Sequence, residues 1–164
     1  MFPKHGSIEK RCADFCPREI KLAAELFWRV DVPPSKIVMG FGFYGRSFTL
    51  ASSGCTTPGC GFSGASDPGP CTKTGGYLAY YEVQSVLKNN PSIKPVHDED
   101  AAVKYFVWNT NQWISYDDAD TYKQKVDWAD GIGLGGAMIW ASDGGLSTTS
   151  IPIVLQLTHH FYCR

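Results

Sequence analysis

Two short apolar strands, each preceded by an amphipathic helical stretch, constrain the fold of this 164-residue chain more than any other feature. The first helical stretch is 18–29, where Ile20, Ala23, Ala24 and Phe27 recur at helical spacing. Pro17 suits its start because it has no N–H to leave unpaired, and the prolines of "VDVPPSK" end it. "KIVMGFGFYGRSF" follows at 36–48 and is apolar on both faces, which predicts a strand covered on both sides, as in a parallel sheet. Towards the other end, "DDADTYKQKVDWADGIG" predicts a helix over 117–133. Asp117 is its expected N-cap, with Asp118 and Asp120 near the positive end of the dipole. Tyr122, Val126 and Ala129 form its inner stripe, and Gly131 or Gly133 ends it. A second strand, Gly136 to Trp140, follows directly and reads as buried. It closes on a large aromatic, with Asp143 three residues later. A purely structural strand has no need of that ending, whereas a pocket floor does.

Between these two units lie about seventy residues of different character. Residues 51–76 are rich in glycine and proline, hold three cysteines, and read as a long loop that its own side chains cannot pack. Cross-linking would offset part of the entropy of ordering it. "YLAYYEVQSVLKN" at 77–89 reads as a helix, and "PSIKPVHDEDA" as a loop. "VKYFVW" and "QWISY" flank the polar turn "NTN" and predict a β-hairpin. Trp108 and Trp113 on that hairpin are either core or an extension of a groove. Setting this insertion aside leaves helix–strand–helix–strand, the alternation of a parallel α/β fold. Two strands cannot close a barrel, but α/β barrels place their active sites at the carboxyl ends of strands. That expectation puts Tyr44–Arg46 and Trp140–Asp143 on one rim.

Composition narrows the partners. A net charge of −1, with acids and bases scattered, gives no footprint for nucleic acid or a membrane surface. No apolar run approaches the roughly 18–20 residues that span a bilayer, so a soluble chain is expected. "MFPKHGSIEKRCADF" has no apolar core of a secretory signal. The six cysteines contain no CxxC spacing and do not pair with histidines at finger-like distances, so no metal is implied. Disulfides in an oxidising compartment are one reading, with fifteen possible pairings, and free buried thiols are the other. Aromatics at 13% suit either sugar stacking or a core. The histidines and the "DED" run at 98–100 read as solvated surface.

"KIVMGFGFYGRSFTL", "GGYLAYYEV", "YFVWNTNQWISYDDADTYKQKV" and "LGGAMIWASD" together resemble, in the same order, the C-terminal part of a family 18 glycoside hydrolase, a chitinase. The loop "CTTPGCGFSGASDPGPC" is similar to the fungal class V, killer-toxin-like branch. The resemblance implies α/β architecture, with the two strands as the seventh and eighth of a (β/α)8 TIM barrel. Residues 1–46 and 117–164 would be barrel segments, and 47–116 the α+β chitinase insertion domain. It implies that Tyr44 and Arg46 contact the bound sugar and that Trp140 lies under the sugar at the cleavage point. The chemistry agrees: an indole offers apolar area to the C–H face of a pyranose, and Arg46 offers several fixed N–H donors. Asp143 either serves the site or merely accepts loop N–H groups. No cofactor is implied, and secretion is.

The family cleaves by substrate assistance, in which the N-acetyl oxygen attacks the anomeric carbon and a glutamic acid protonates the leaving group. That glutamate ends a D-x-x-D-x-D-x-E motif, which this sequence lacks; it also lacks the family's Met-x-Tyr-Asp stretch. No catalytic residue is therefore assigned, and no hydrolysis is expected of the chain alone. Three readings follow: a portion of a secreted chitinase, a lectin-like chitin-binding module, or a structural or toxin-partner subunit of a toxin/chitinase complex, joining a chain that supplies the missing N-terminal barrel half. The tail 144–164 matches nothing in the family.

Overall fold

The structure is a computed structural model that describes residues 16–140. Asp143, Cys12, Cys163 and the tail lie outside the described residues. Helix α1 (Cys16–Trp28) is followed by strand β1 (Val38–Gly42) and then strand β2 (Tyr44–Leu50). Next come β3 (Phe62–Ala65), β4 (Tyr77–Ala79), helix α2 (Tyr80–Asn89), β5 (Val96–Asp98), β6 (Val103–Trp108) and β7 (Gln112–Tyr116). Helix α3 (Ala119–Gly131) and strand β8 (Gly136–Trp140) close the described chain. The fold is mixed α/β. β1 and β8 form a two-stranded parallel sheet, while β2 to β7 form a six-stranded sheet whose pairings are all antiparallel.

The apolar run 36–48 is two strands in two sheets, not one. The switch occurs at Phe43, whose N–H donates to the Trp140 carbonyl (3.2 Å) and whose carbonyl accepts from Tyr80 N–H (3.0 Å). Tyr122 fixes the same junction, its hydroxyl donating to the Gly42 carbonyl at 2.6 Å. One residue is thus tied to the end of β8 and to the start of α2, with α3 bracing its neighbour.

The expectation that β1 and β8 are covered on both sides is not met. Their register, Val38↔Gly136 through Gly42↔Trp140, puts Met39, Phe41, Ala137 and Ile139 on one face. Met39 and Phe41 are buried there, with Ile139 packed against the same core. Val38, Met138 and Trp140 share the other face and are exposed, Met138 at 47% and Trp140 at 69%. Gly136–Trp140 is therefore a strand, as expected, but not a buried one, because nothing among the described residues packs on that face. Helix α1 behaves similarly: Ala24 is buried and Ile20 partly so, while Ala23 and Phe27, expected on its inner stripe, are exposed.

The hairpin forms as expected, and its alternation divides the core. Phe106, Trp108, Ile114 and Tyr116 face the larger cluster shared with β1, α2 and Tyr122 and Ala129 of α3. Tyr105, Val107 and Trp113 face a smaller one with Leu50 and Cys60. Both hairpin tryptophans are core residues. The Gly/Pro/Cys loop is less irregular than expected: it contributes β3, which pairs with β2, and Cys60 from it is buried. Cys55 and Cys60 are disulfide-bonded, the reading of bridged cysteines holding for this pair. Residues 77–79 extend as β4 before the helix begins, and 96–98 form the short edge strand β5. Helix α3 starts one residue later than expected, with Asp118 as N-cap accepting from Asp120 and Thr121 N–H. Asp117 instead accepts from the Thr121 hydroxyl and pairs with Lys125. The stripe of Tyr122, Val126 and Ala129 packs inward as expected.

Burial of tyrosines on this core gives the fold an alkaline limit. Burial, and then the Asp118 charge, push the Tyr80 hydroxyl from its ordinary 10.0 up to about 12. Burial raises Tyr116 and Tyr122 as well. A folded-state value above the unfolded one stabilises fully below pH 10 and is lost as pH rises towards 12. The loss is at most about 1.4 kcal/mol per pH unit for each tyrosine, reduced by solvent screening. Urea midpoints should therefore stay flat up to about pH 10 and fall steeply above it, and Tyr80→Phe should blunt the fall. A profile unchanged by that substitution would remove Tyr80 from the account.

Candidate functional site

The site is built where the two sheets meet. Tyr44 and Arg46 lie two apart on β2 and so share a face. β4 pairs with the same stretch, placing Ala79 opposite Tyr44 and Tyr77 opposite Arg46. The Tyr44 and Tyr77 rings approach to 5.2 Å between centroids at a tilt of 38°. The Arg46 guanidinium lies 5.1 Å from the Tyr44 ring centre and 5.9 Å from that of Tyr77. Arg46 is exposed, and no carboxylate pairs with it among the described ion pairs. The rings hold the cation in place while leaving its N–H donors open to a ligand.

Gly42 makes room for this cluster. A Cβ there would come within 2.8 Å of the Tyr44 ring, so only glycine lets the ring lie over the end of β1. Gly42 is also the β1 partner of Trp140 in the parallel register. Trp140 therefore stands at the carboxyl end of β8, beside the strand end that Tyr44 covers. Its indole is among the most exposed large apolar groups described. An exposed tryptophan is unfavourable as core but suits a platform for an apolar ring face.

The three residues singled out from sequence thus fall in one neighbourhood: Tyr44 and Arg46 in direct contact, and Trp140 joined to them through Gly42 and Phe43. Sequence reasoning missed Tyr77, which opened a predicted helix. Its contact with Arg46 depends on the β2–β4 pairing, and a local pattern does not carry that information. The one available signal was "TGGY", where Gly76 adopts φ +77° and forces a turn just before Tyr77.

No group of three or more histidine, cysteine or acidic side chains is placed to hold a metal among the described residues. No described helix is long and apolar enough to cross a membrane. His97, Glu99 and Asp100 are exposed, as expected, and Asp98 caps a turn by accepting Ala101 N–H at 2.8 Å. The acids at 117–120 serve helix α3, its Lys125, and Lys104 of β6. Lys104 lies 2.6 Å from Asp118 and 2.5 Å from Asp120. Burial disfavours the Lys104 charge, but hydrogen bonds to both aspartates outweigh it and raise its pKa. The hydrogen bond from Lys104 holds Asp120 below the ordinary carboxylate range.

Comparison with known proteins gives this geometry a context. Chitotriosidase-1 of Mus musculus is 40% identical over 152 residues, covering 85% of this chain and 31% of the mouse protein. Chitinase-3-like protein 2 of Homo sapiens is 45% identical over 112 residues, covering 68% of this chain and 27% of the human protein. A solved structure of human YKL-39, described as a pseudo-chitinase with retained chitooligosaccharide binding properties, superposes with a TM-score of 0.72. It is 38% identical to this chain, and the match covers 84% of this chain and 37% of that one. The chain therefore spans about a third of the length of these relatives. The sequence profile described as Glycosyl hydrolases family 18 matches residues 17–145, most of the chain, and the chain belongs to that family.

Proposed function

We propose that this chain is the C-terminal, substrate-groove portion of a secreted chitinase, which holds N-acetylglucosamine oligomers without cutting them unaided. The observation that carries the reading is Trp140, 69% exposed at the carboxyl end of a parallel strand and beside the Tyr44–Arg46 pair. In this reading Trp140 floors the sugar, Tyr44 and Arg46 hydrogen-bond its oxygens, and Tyr77 extends the wall. β1 and β8 are the seventh and eighth barrel strands, 1–46 and 117–164 the barrel segments, and 47–116 the insertion domain. The parallel neighbouring of β1 and β8 supports that division, as does the antiparallel sheet built from the chain between them. The uncovered apolar face of β1 and β8 supports the idea that further barrel segments belong against it. The Cys55–Cys60 bridge supports an oxidising, extracellular setting. Placement in the fungal class V branch rests on the loop at 55–71 alone; the relatives named above are mammalian, and the reading does not depend on the branch.

A lectin-like module is the second reading, favoured by the YKL-39 likeness, since that protein is described as retaining binding as a pseudo-chitinase. Both readings expect binding. Removing an aromatic platform forfeits about 1.5–3 kcal/mol of apolar burial. Trp140→Ala should therefore weaken binding of an N-acetylglucosamine tetramer by roughly 10- to 100-fold in titration calorimetry. An unchanged affinity would remove Trp140 from the site, and absence of binding by the unaltered chain would remove the reading.

A further inference from the structure

Glu82 is 2% exposed, yet it is a carboxylate, and among the described ion pairs none reaches it. Its charge is met by backbone donors alone. Oε1 accepts the N–H groups of Cys71 (2.8 Å) and Thr72 (3.1 Å), and Oε2 accepts that of Ala79 (3.0 Å). The position in the first turn of α2 adds the positive end of the helix dipole. A buried carboxylate on three N–H groups is well satisfied; the same loop without it would keep three donors and no acceptor.

The placement of those donors matters more than their number. Cys71 and Thr72 lie before β4, and Ala79 is its last residue. A single side chain therefore clamps both ends of the segment that presents Tyr77 to Arg46. Gly69 fits this arrangement, because a Cβ there would overlap the Glu82 carboxylate. Further bonds tighten the same turn: Gly76 N–H to the Ser66 carbonyl (3.2 Å), and Ser47 N–H to the Gly76 carbonyl (3.1 Å).

We infer that Glu82 is a positioning residue for the Tyr44–Arg46–Tyr77 cluster, setting Arg46 for a sugar ligand by fixing both ends of the 71–79 segment that closes on β4. The binding part of this inference rests on the function proposed above; the positional part does not. The test compares Glu82→Ala and Glu82→Gln with Val83→Ala, which removes a neighbouring buried side chain of α2 and destabilises without touching the clamp. Two readouts are taken well below every variant's melting temperature: ring-current shifts of the Arg46 side-chain protons, and affinity for the N-acetylglucosamine tetramer.

Glu82→Ala should move the Arg46 shifts towards those of an unstacked arginine and weaken binding about tenfold. Glu82→Gln keeps an oxygen for Cys71 and Thr72 and should retain part of both. Val83→Ala should keep both signals. Arg46 shifts unchanged in a folded Glu82 variant would overturn the inference, and so would equal losses in Val83→Ala. If Glu82→Ala does not fold, Glu82→Gln decides on the same criteria. An unaltered chain that does not bind the tetramer would defeat the sugar reading, while the Arg46 shifts would still decide the clamp.

Discussion

Trp113→Ala should lower the free energy of unfolding by about 3–5 kcal/mol, the range for removing a large aromatic from a packed site. Trp113 is 1% exposed and sits at the centre of the smaller core. It stands opposite Phe48 on β2 and Val107 on β6, and its ring stacks on Tyr105 with centroids 5.6 Å apart. Its indole N–H also donates to the Thr56 carbonyl at 3.1 Å, tying the disulfide loop to the sheet. Truncation therefore opens a cavity and strands a carbonyl together. Trp113→Phe keeps most of the contact area but not that bond, and should cost clearly less. Urea unfolding measures both values, and limited proteolysis should show faster cutting near 55–60 in the alanine variant. A cost below about 1 kcal/mol would mean the loop holds its place without the tryptophan.

That prediction concerns a residue that the hairpin pattern left open between core and groove, and the contrast with other elements is instructive. The hairpin and α3 were legible because their patterns are local and complete within a few turns or residues. The break at Phe43 was not legible: "KIVMGFGFYGRSF" is apolar throughout, and partners distant in sequence, Trp140 and Tyr80, decide where one sheet ends. β3 and β4 were hidden for the same reason, each existing because β2 offers it an edge. The exposed face of β1 and β8 shows the opposite limit. Apolar side chains on both faces state what a strand would bury, not whether a partner is present to bury it. At the candidate site, the side chains carried by motifs, Tyr44, Arg46 and Trp140, could be proposed from sequence. Tyr77, placed by strand pairing, and Glu82, read only as part of a helix, could not.

The isolated chain should show no turnover of an N-acetylglucosamine tetramer above the uncatalysed background. A positioned acid typically contributes about 10²–10⁴-fold, and it must reach the glycosidic oxygen to do so. Four of the described carboxylates are committed elsewhere. Glu82 is buried on three N–H groups, Asp117 pairs with Lys125 of α3, Asp118 pairs with Lys104 of β6, and Asp98 holds a turn. In the function proposed above, Trp140, Tyr44 and Arg46 hold and orient a sugar, but none of them carries a carboxylic acid to protonate a leaving group. If the proposed division is right, adding the part of the mouse relative outside the matched region should restore cleavage. Trp140→Ala in that mixture should then lower it, because the floor and the acid would act on one sugar ring. Product formation by the unmixed chain, followed by chromatography, would show that an acid of its own reaches the bond. Binding without cleavage in either setting would favour the lectin-like reading, since the groove would then hold an oligomer that no supplied acid can reach.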